Sequence, residues 1–291
     1  MGERLLQLLY SGITLGSIYS LVALTLVITF NITGILNLAQ GEFVVMGALI
    51  AVSLKSAGMP LPAAFGISVI FMAVVGGILE RLTIRPARGA SGLTMLIITV
   101  GLSISLRGLA LLIWSTATYS LPSFTQGGPL MIGGAALNPQ SIWIFLLVAV
   151  ILVGVSLFFH LTFWGKAVKA SVTNPTGAKL QGINLNTISF LAFAAAGALG
   201  AATGLCIAPV TMVTYDMGFM LGVKGFVAAS IGGLSSIGGA VIGGILLGLL
   251  ESYSSGLISS GLKDGISIVI LLGVLLIRPE GIMGAMKQRK I

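Results

Sequence analysis

The stretch LLYSGITLGSIYSLVALTLVITF, residues 8–30, runs its whole length without an Asp, Glu, Lys or Arg. A helix needs about 20 apolar residues to cross the roughly 30 Å of a bilayer's hydrocarbon, so this run is long enough to span one. Arg4 precedes it, as in a secretory signal. The apolar character continues to Phe30 with no small-residue cleavage site, which predicts a retained first helix. Comparable runs recur at 35–57, 61–80, 93–114, 139–162, 187–212, 237–256 and 264–279. A further run at 223–235 is too short to cross straight. Such a piece is tolerated in a membrane only where protein or a water-filled cavity satisfies its backbone. The expected fold is therefore an all-α polytopic membrane protein, one domain over residues 1–291, with about eight transmembrane helices plus a short broken or re-entrant segment.

Composition agrees. Hydrophobic residues make up 56% of the chain and charged residues only 8%, with a mean hydropathy of +1.12. A soluble protein is about a quarter charged, so these charges cannot cover a water-facing surface. The 41 glycines suit a membrane, where small residues let helix backbones approach closely. A single cysteine, Cys206, excludes an intrachain disulfide. The net charge of +8 does not indicate nucleic acid, because the basic residues lie beside apolar spans and not along one soluble face.

Basic residues set the expected orientation. Arg81, Arg85 and Arg88 follow the third run; Lys166, Lys169 and Lys179 lie in 163–186; Arg278, Lys287, Arg289 and Lys290 form the tail. Placing all three clusters in the cytoplasm puts the amino terminus outside and the carboxyl terminus inside, provided that the 223–235 piece also crosses. Residues 115–138 carry no charge but several Pro, Gly, Ser and Thr, which suggests an ordered external loop; the loop 213–222 contains Asp216.

Enzyme templates fail. No glycine-rich loop ends in Gly-Lys-Ser or Gly-Lys-Thr, so the chain has no phosphate cradle for ATP. With one histidine, His160 at the end of a span, and one cysteine, there is no zinc set and no Cys–His couple. No catalytic residue, metal ligand or cofactor is expected, and energy must come from an ion gradient or another subunit. In FWGKAVKASVTNPTGAKLQGINLN, residues 163–186, Asn174 is a good N-cap, Pro175 suits the first helical position and Gly182 suits a left-handed stop. That predicts a helix of about two turns framed by basic residues, either a plain connection or a docking helix for a cytoplasmic partner.

The run GAKLQGIN, ending at Asn184, resembles the Ala-x-x-x-Gly-Ile-Asn core of the coupling motif in ABC importer permeases. GILNLAQGEF, residues 34–43, is similar to the Asn-x-Ala-x-Gly-Glu signature of the LivH-type branched-chain amino acid permeases. RPAR at 85–88, GFMLGVKGFVAASIGGLSSIGGAVIGG at 218–244 and RPEGIMG at 278–284 match in the same order. One departure is that Asn174-Pro175-Thr176 replaces the acidic-alanine opening of the motif. The resemblance implies an inner-membrane importer permease for branched-chain or related amino acids. Its partners would be two ATPase subunits that use the ATP and Mg, a second related permease and a periplasmic binding protein. It implies ATPase coupling through Asn174, Pro175, Ala178, Lys179, Leu180, Gly182 and Ile183.

Polar residues inside spans are costly and point to a pathway. Asn37, Gln40, Gly41, Glu42 and Lys224 are the candidates. Glu42 either borders the substrate path or is an acid at a helix N-terminus after a break at Gly41. Lys224, expected to start the short piece near the outer face, either attracts a substrate carboxylate or snorkels to the interface. Arg107 is expected to pair with Glu42 or Glu251, and Glu251 to lie at the interface. A weak echo between AQGEFVVMGAL (39–49) and GVKGFVAASIG (222–232) would suit an inverted repeat around a midplane site. The pairs Gly12/Gly16, Gly200/Gly204, Gly239/Gly243 and Gly244/Gly248 have small-xxx-small spacing and are expected to pack within the chain. GGLSSIGG, 232–239, is expected to form a tight cytoplasmic bend. The competing function is a stand-alone ion-coupled carrier of small amino acids, amides or urea, with Glu42 as the ion site.

Overall fold

In the computed structural model, residues 2–284 are described apart from 126, 260, 262 and 279, and apart from the side chains of 263, 264 and 275. Lys287, Arg289 and Lys290 of the expected basic tail lie outside the described residues.

The order is α1 (Gly2–Thr33), α2 (Gln40–Ser56), α3 (Leu61–Leu79), α4 (Gly92–Trp114), α5 (Pro139–Leu161), α6 (Phe163–Thr173), α7 (Pro175–Leu180), α8 (Leu185–Ile207), α9 (Met217–Gly232), α10 (Ile237–Leu257) and α11 (Lys263–Ile277). α3 continues through one wider turn, Glu80–Ile84. Among the described residues, six helices are long and apolar enough to span: α1, α3 with its extension, α4, α5, α8 and α10. α2, α9 and α11 are shorter. The expected external loop is ordered, with a two-stranded hairpin of β1 (Leu130–Ile132) and β2 (Ala135–Leu137). A further pair of backbone bonds joins Tyr119 to Val213.

α1 is the hub. It is apolar on every side and buried without a break from Gly16 to Thr29, as a helix surrounded by other helices must be. α10 lies along it, and glycine makes the approach possible: a Cβ on Gly16 would stand 2.6 Å from the Ile245 Cα, and one on Gly248 would overlap the Gly16 backbone. Gly200 and Gly204 face α2, and Gly239 and Gly243 face α9. All four glycine pairs thus pack within the chain. α3, α4 and α5 instead expose large apolar side chains such as Ile70, Phe71, Leu112 and Val150, which suits a lipid-facing rim.

Two boundaries differ from expectation. The run expected to be a continuous span at 35–57 is broken: 34–39 is non-helical and α2 starts at Gln40. The Asn37 side-chain oxygen accepts from the Ala39 N–H at 3.1 Å, a local turn that competes with helix. The short piece expected at 223–235 starts at Met217, so residues 217–222 of the expected loop 213–222 are helix.

The segment 163–186 holds two helices where one was expected. α6 is capped by Thr162, and α7 by Asn174, whose side chain accepts from the Gly177 N–H at 2.9 Å. At the other end Gly182 has φ +78. Its N–H donates to the Lys179 carbonyl, and that of Ile183 to Ala178, the bond pattern of a left-handed helix stop. Asn174→Ala is expected to cost the start of α7 about 1 kcal/mol. Amide exchange at Gly177 should rise severalfold, with α8 unchanged.

Candidate functional site

α2 begins in the middle of the membrane. Gln40 Nε2 donates to the carbonyl of Ala196, the central residue of α8, at 3.0 Å. Ser103 Oγ, at the centre of α4, donates to Glu42 Oε1 at 2.9 Å. From there α2 rises until Ser53 meets the Trp114 indole at the end of α4. α9 starts beside α2 and runs the other way: a Cβ on Gly41 would overlap the Gly218 carbonyl and stand 2.7 Å from the Gly222 nitrogen. The far end, Gly232, closes on Gly239 near the start of α10. Two short helices therefore leave one midplane point for opposite faces, the arrangement that the echo of 39–49 in 222–232 anticipates.

The four candidates on the second run come together here. Asn37 and Gln40 are wholly buried and Glu42 is 1% exposed. Arg107 and Asp216, of opposite sign, act electrostatically on Glu42. Among the described residues, Asn37 Nδ2 and Gln40 Oε1 have no hydrogen-bond partner. Buried amide atoms are rarely left so, which marks the pair for a functional reading.

Lys224 does not join them. It lies in the middle of α9, not at its start, and is buried, so it is not snorkelling at an outer face. Gly222 faces α2, and the residue two positions on points the other way around a helix. Lys224 Nζ donates to Glu251 Oε1 at 2.9 Å and to Tyr19 Oη at 3.3 Å. Tyr19 Oη in turn donates to Glu251 Oε2 at 2.8 Å. Glu251 is fully buried and not interfacial. Nor does Arg107 form an ion pair with Glu42 or Glu251: its guanidinium lies 5.6 Å from the Phe219 ring centroid. Lys224 has taken Glu251, and the aromatic face offers a cation a partner that needs no second buried charge.

Sequence reasoning missed the face of α4. Thr99, Ser103 and Arg107 recur every four residues and so form one polar stripe, a signal present in the sequence. Thr99 Oγ1 donates to the Leu36 carbonyl at 3.2 Å and accepts from the Leu38 N–H at 3.4 Å, fastening the broken segment. In the basic loop, buried Glu80 holds Arg88 at 2.5 Å and Arg85 at 3.3 Å.

On the side where α1 ends, α6 and α7 present exposed apolar side chains. Leu180 is 84% exposed and Phe163 76%, whereas Ala178 is 4% exposed and faces inward. Pro175 and Lys179 are exposed and Ile183 is half-buried.

Spanning helices around two short ones that meet at the midplane, with a helical pair displayed at one face, are the arrangement of a membrane transport protein. The chain belongs to the family described as "Branched-chain amino acid transport system / permease component", which it matches over residues 8–275. It is 32% identical to the high-affinity branched-chain amino acid transport system permease protein BraD of Pseudomonas aeruginosa, covering 98% of each chain. It is 31% identical to the LivH permease protein of Salmonella typhimurium, over 98% of this chain and 97% of that one. Against a chain of PsaBC from Streptococcus pneumoniae the identity is 15% and the TM-score 0.45, over 96% and 92% of the two chains.

Proposed function

We propose that this chain is the membrane-spanning permease subunit of an ATP-binding-cassette importer for branched-chain or related amino acids. It is supported by the names of the relatives and by one structural observation: a capped two-turn helix, α7, that holds Leu180 out into solvent on the face rich in basic residues. An exposed leucine on a rigid helix suits burial in a partner's groove. In this reading two ATPase subunits, which use the ATP and Mg, receive α7, and Asn174, Pro175, Lys179, Gly182 and Ile183 shape or flank the contact. Ala178 supports the helix from inside. A second related permease lies alongside, and a periplasmic binding protein delivers the amino acid. The chain sits in the inner membrane with its amino terminus periplasmic and its carboxyl terminus cytoplasmic. The midplane residues Asn37, Gln40, Gly41 and Glu42 border the path, and Lys224 acts from behind α9.

The test is co-purification in mild detergent, followed by leucine uptake in proteoliposomes. The wild-type chain is expected to bring ATPase subunits and a second permease with it. Leu180→Asp is expected to reduce that recovery and ATP-driven uptake by about tenfold or more, as loss of a buried apolar anchor does. The melting temperature of the isolated chain should not change, because the side chain touches little of it. Uptake by the chain alone under an ion gradient would overturn the proposal in favour of a secondary carrier.

A further inference from the structure

A cleft of about 1220 Å³ opens on the face that carries α7. Three of its walls belong to separate parts of the chain. One is α7 and its stop, with Pro175, Lys179 and Gly182; another is the non-helical segment Gly34, Ile35 and Leu36; the third is the start of α4, with Leu96. The volume is generous for a small ligand site, and its walls mix aliphatic side chains with polar ones such as Arg88, Lys179, Asn184 and Asn186, which suits a solute with an apolar side chain and a charged end. Leu36 lines it, and from there the chain continues directly into Asn37, Gln40 and Glu42. Coupling helix, cleft and midplane residues therefore lie in series.

We propose that this cleft is the exit vestibule for the transported amino acid, and that Thr99 is the positioning residue that holds its gate, the segment 34–38, shut. The inference rests on the importer reading. Apart from local turns, the hydrogen bonds that tie 35–38 to another helix, among the described residues, are those of the Thr99 hydroxyl. That hydroxyl also lies 2.9 Å from the carbonyl of Leu96 on its own helix. Its single proton is shared between the gate and α4. When the gate leaves, the hydroxyl proton passes wholly to Leu96, so the Thr99 donor stays paired, and the Leu38 N–H and Leu36 carbonyl go with the gate into the open cleft. A latch of this kind is weak enough to be released. The walls can turn at two places: Gly34 has φ +72 and Gly182 has φ +78, each in open space. A partner that moves α7 thus shifts one wall of the cleft whose other wall is the gate.

The test uses the complete importer in proteoliposomes, on a Cys206→Ala background with one reporter cysteine. Ala39→Cys lies behind the gate, where the native residue is fully buried; Ile35→Cys lies in the cleft. A charged thiol reagent applied from the cytoplasmic side is expected to label position 35 readily and position 39 slowly. Adding Thr99→Val should raise labelling at 39 by about fivefold to tenfold, the scale of one lost hydrogen bond, and raise ATPase activity without binding protein. Thr99→Ser should restore both. Thr99→Ala serves the comparison if the valine variant does not assemble. Equal labelling at 39 in the threonine, valine and alanine chains would overturn the gate. That result is distinct from failure of the importer reading, which would show as uptake without ATPase subunits.

Discussion

Replacing Lys224 by methionine is expected to lower the stability of the chain by about 3–5 kcal/mol, the usual cost of breaking a buried ion pair from one side. The loss arises at the residue left behind. Glu251 is fully buried, and it would lose its cationic partner while its bond from Tyr19 remains. α1, α9 and α10 meet at these three side chains, so the strain falls on the hub of the bundle. The melting temperature in detergent should fall by several degrees, and added salt should make little difference because the pair is shielded from it. Changing both members, Lys224→Met with Glu251→Leu, is expected to recover most of the stability, because a well-packed apolar pair often matches a buried ionic one. A Lys224→Met chain as stable as the wild type would show that the pair does not organise the bundle. A stable but inactive double variant would give the charges a part in transport as well.

How legible this site was depended on whether each helix announced its own start. α7 did so: Asn174, Pro175 and Gly182 marked its ends in the sequence, and the bonds lie where those residues predict. The glycine pairs were equally plain, because close approach of helices requires small residues wherever the helices run. α2 and α9 gave no such mark. Ala39 and Asp216 flank their first turns without a side-chain capping bond. Both starts are buried against neighbouring helices, so tertiary contacts do the work that a capping side chain does elsewhere. Hydropathy could not show the break either, since ILNLA is nearly as apolar within the break as outside it. Misplacing the start of α9 by six residues then carried Lys224 to the membrane surface, away from its buried partner Glu251. The polar stripe Thr99–Ser103–Arg107 was readable from its spacing. Its meaning required knowing that a broken segment lay opposite.

Gly41→Leu is expected to abolish uptake, with a loss of well over tenfold, and to destabilise the chain by about 3 kcal/mol, the upper part of the usual range for overpacking. The reason is what the new side chain meets. A Cβ at position 41 would overlap the Gly218 carbonyl and press on the Gly222 nitrogen, both backbone atoms that no rotamer change can clear. The partner positions are already glycine, so no smaller residue on α9 can make room. The helices must part, and Glu42, the next residue, then loses its register with Ser103. The matched control is Gly66→Ala on α3, where an added Cβ meets nothing within 4 Å. There the change is expected to be neutral or to stabilise by up to about 1 kcal/mol through helix propensity. Uptake and thermal melting measured on both variants separate a specific contact from a general intolerance of glycine replacement. If Gly41→Leu melts and transports like the wild type, α2 does not meet α9 at the midplane, and the pathway must be sought elsewhere in the bundle.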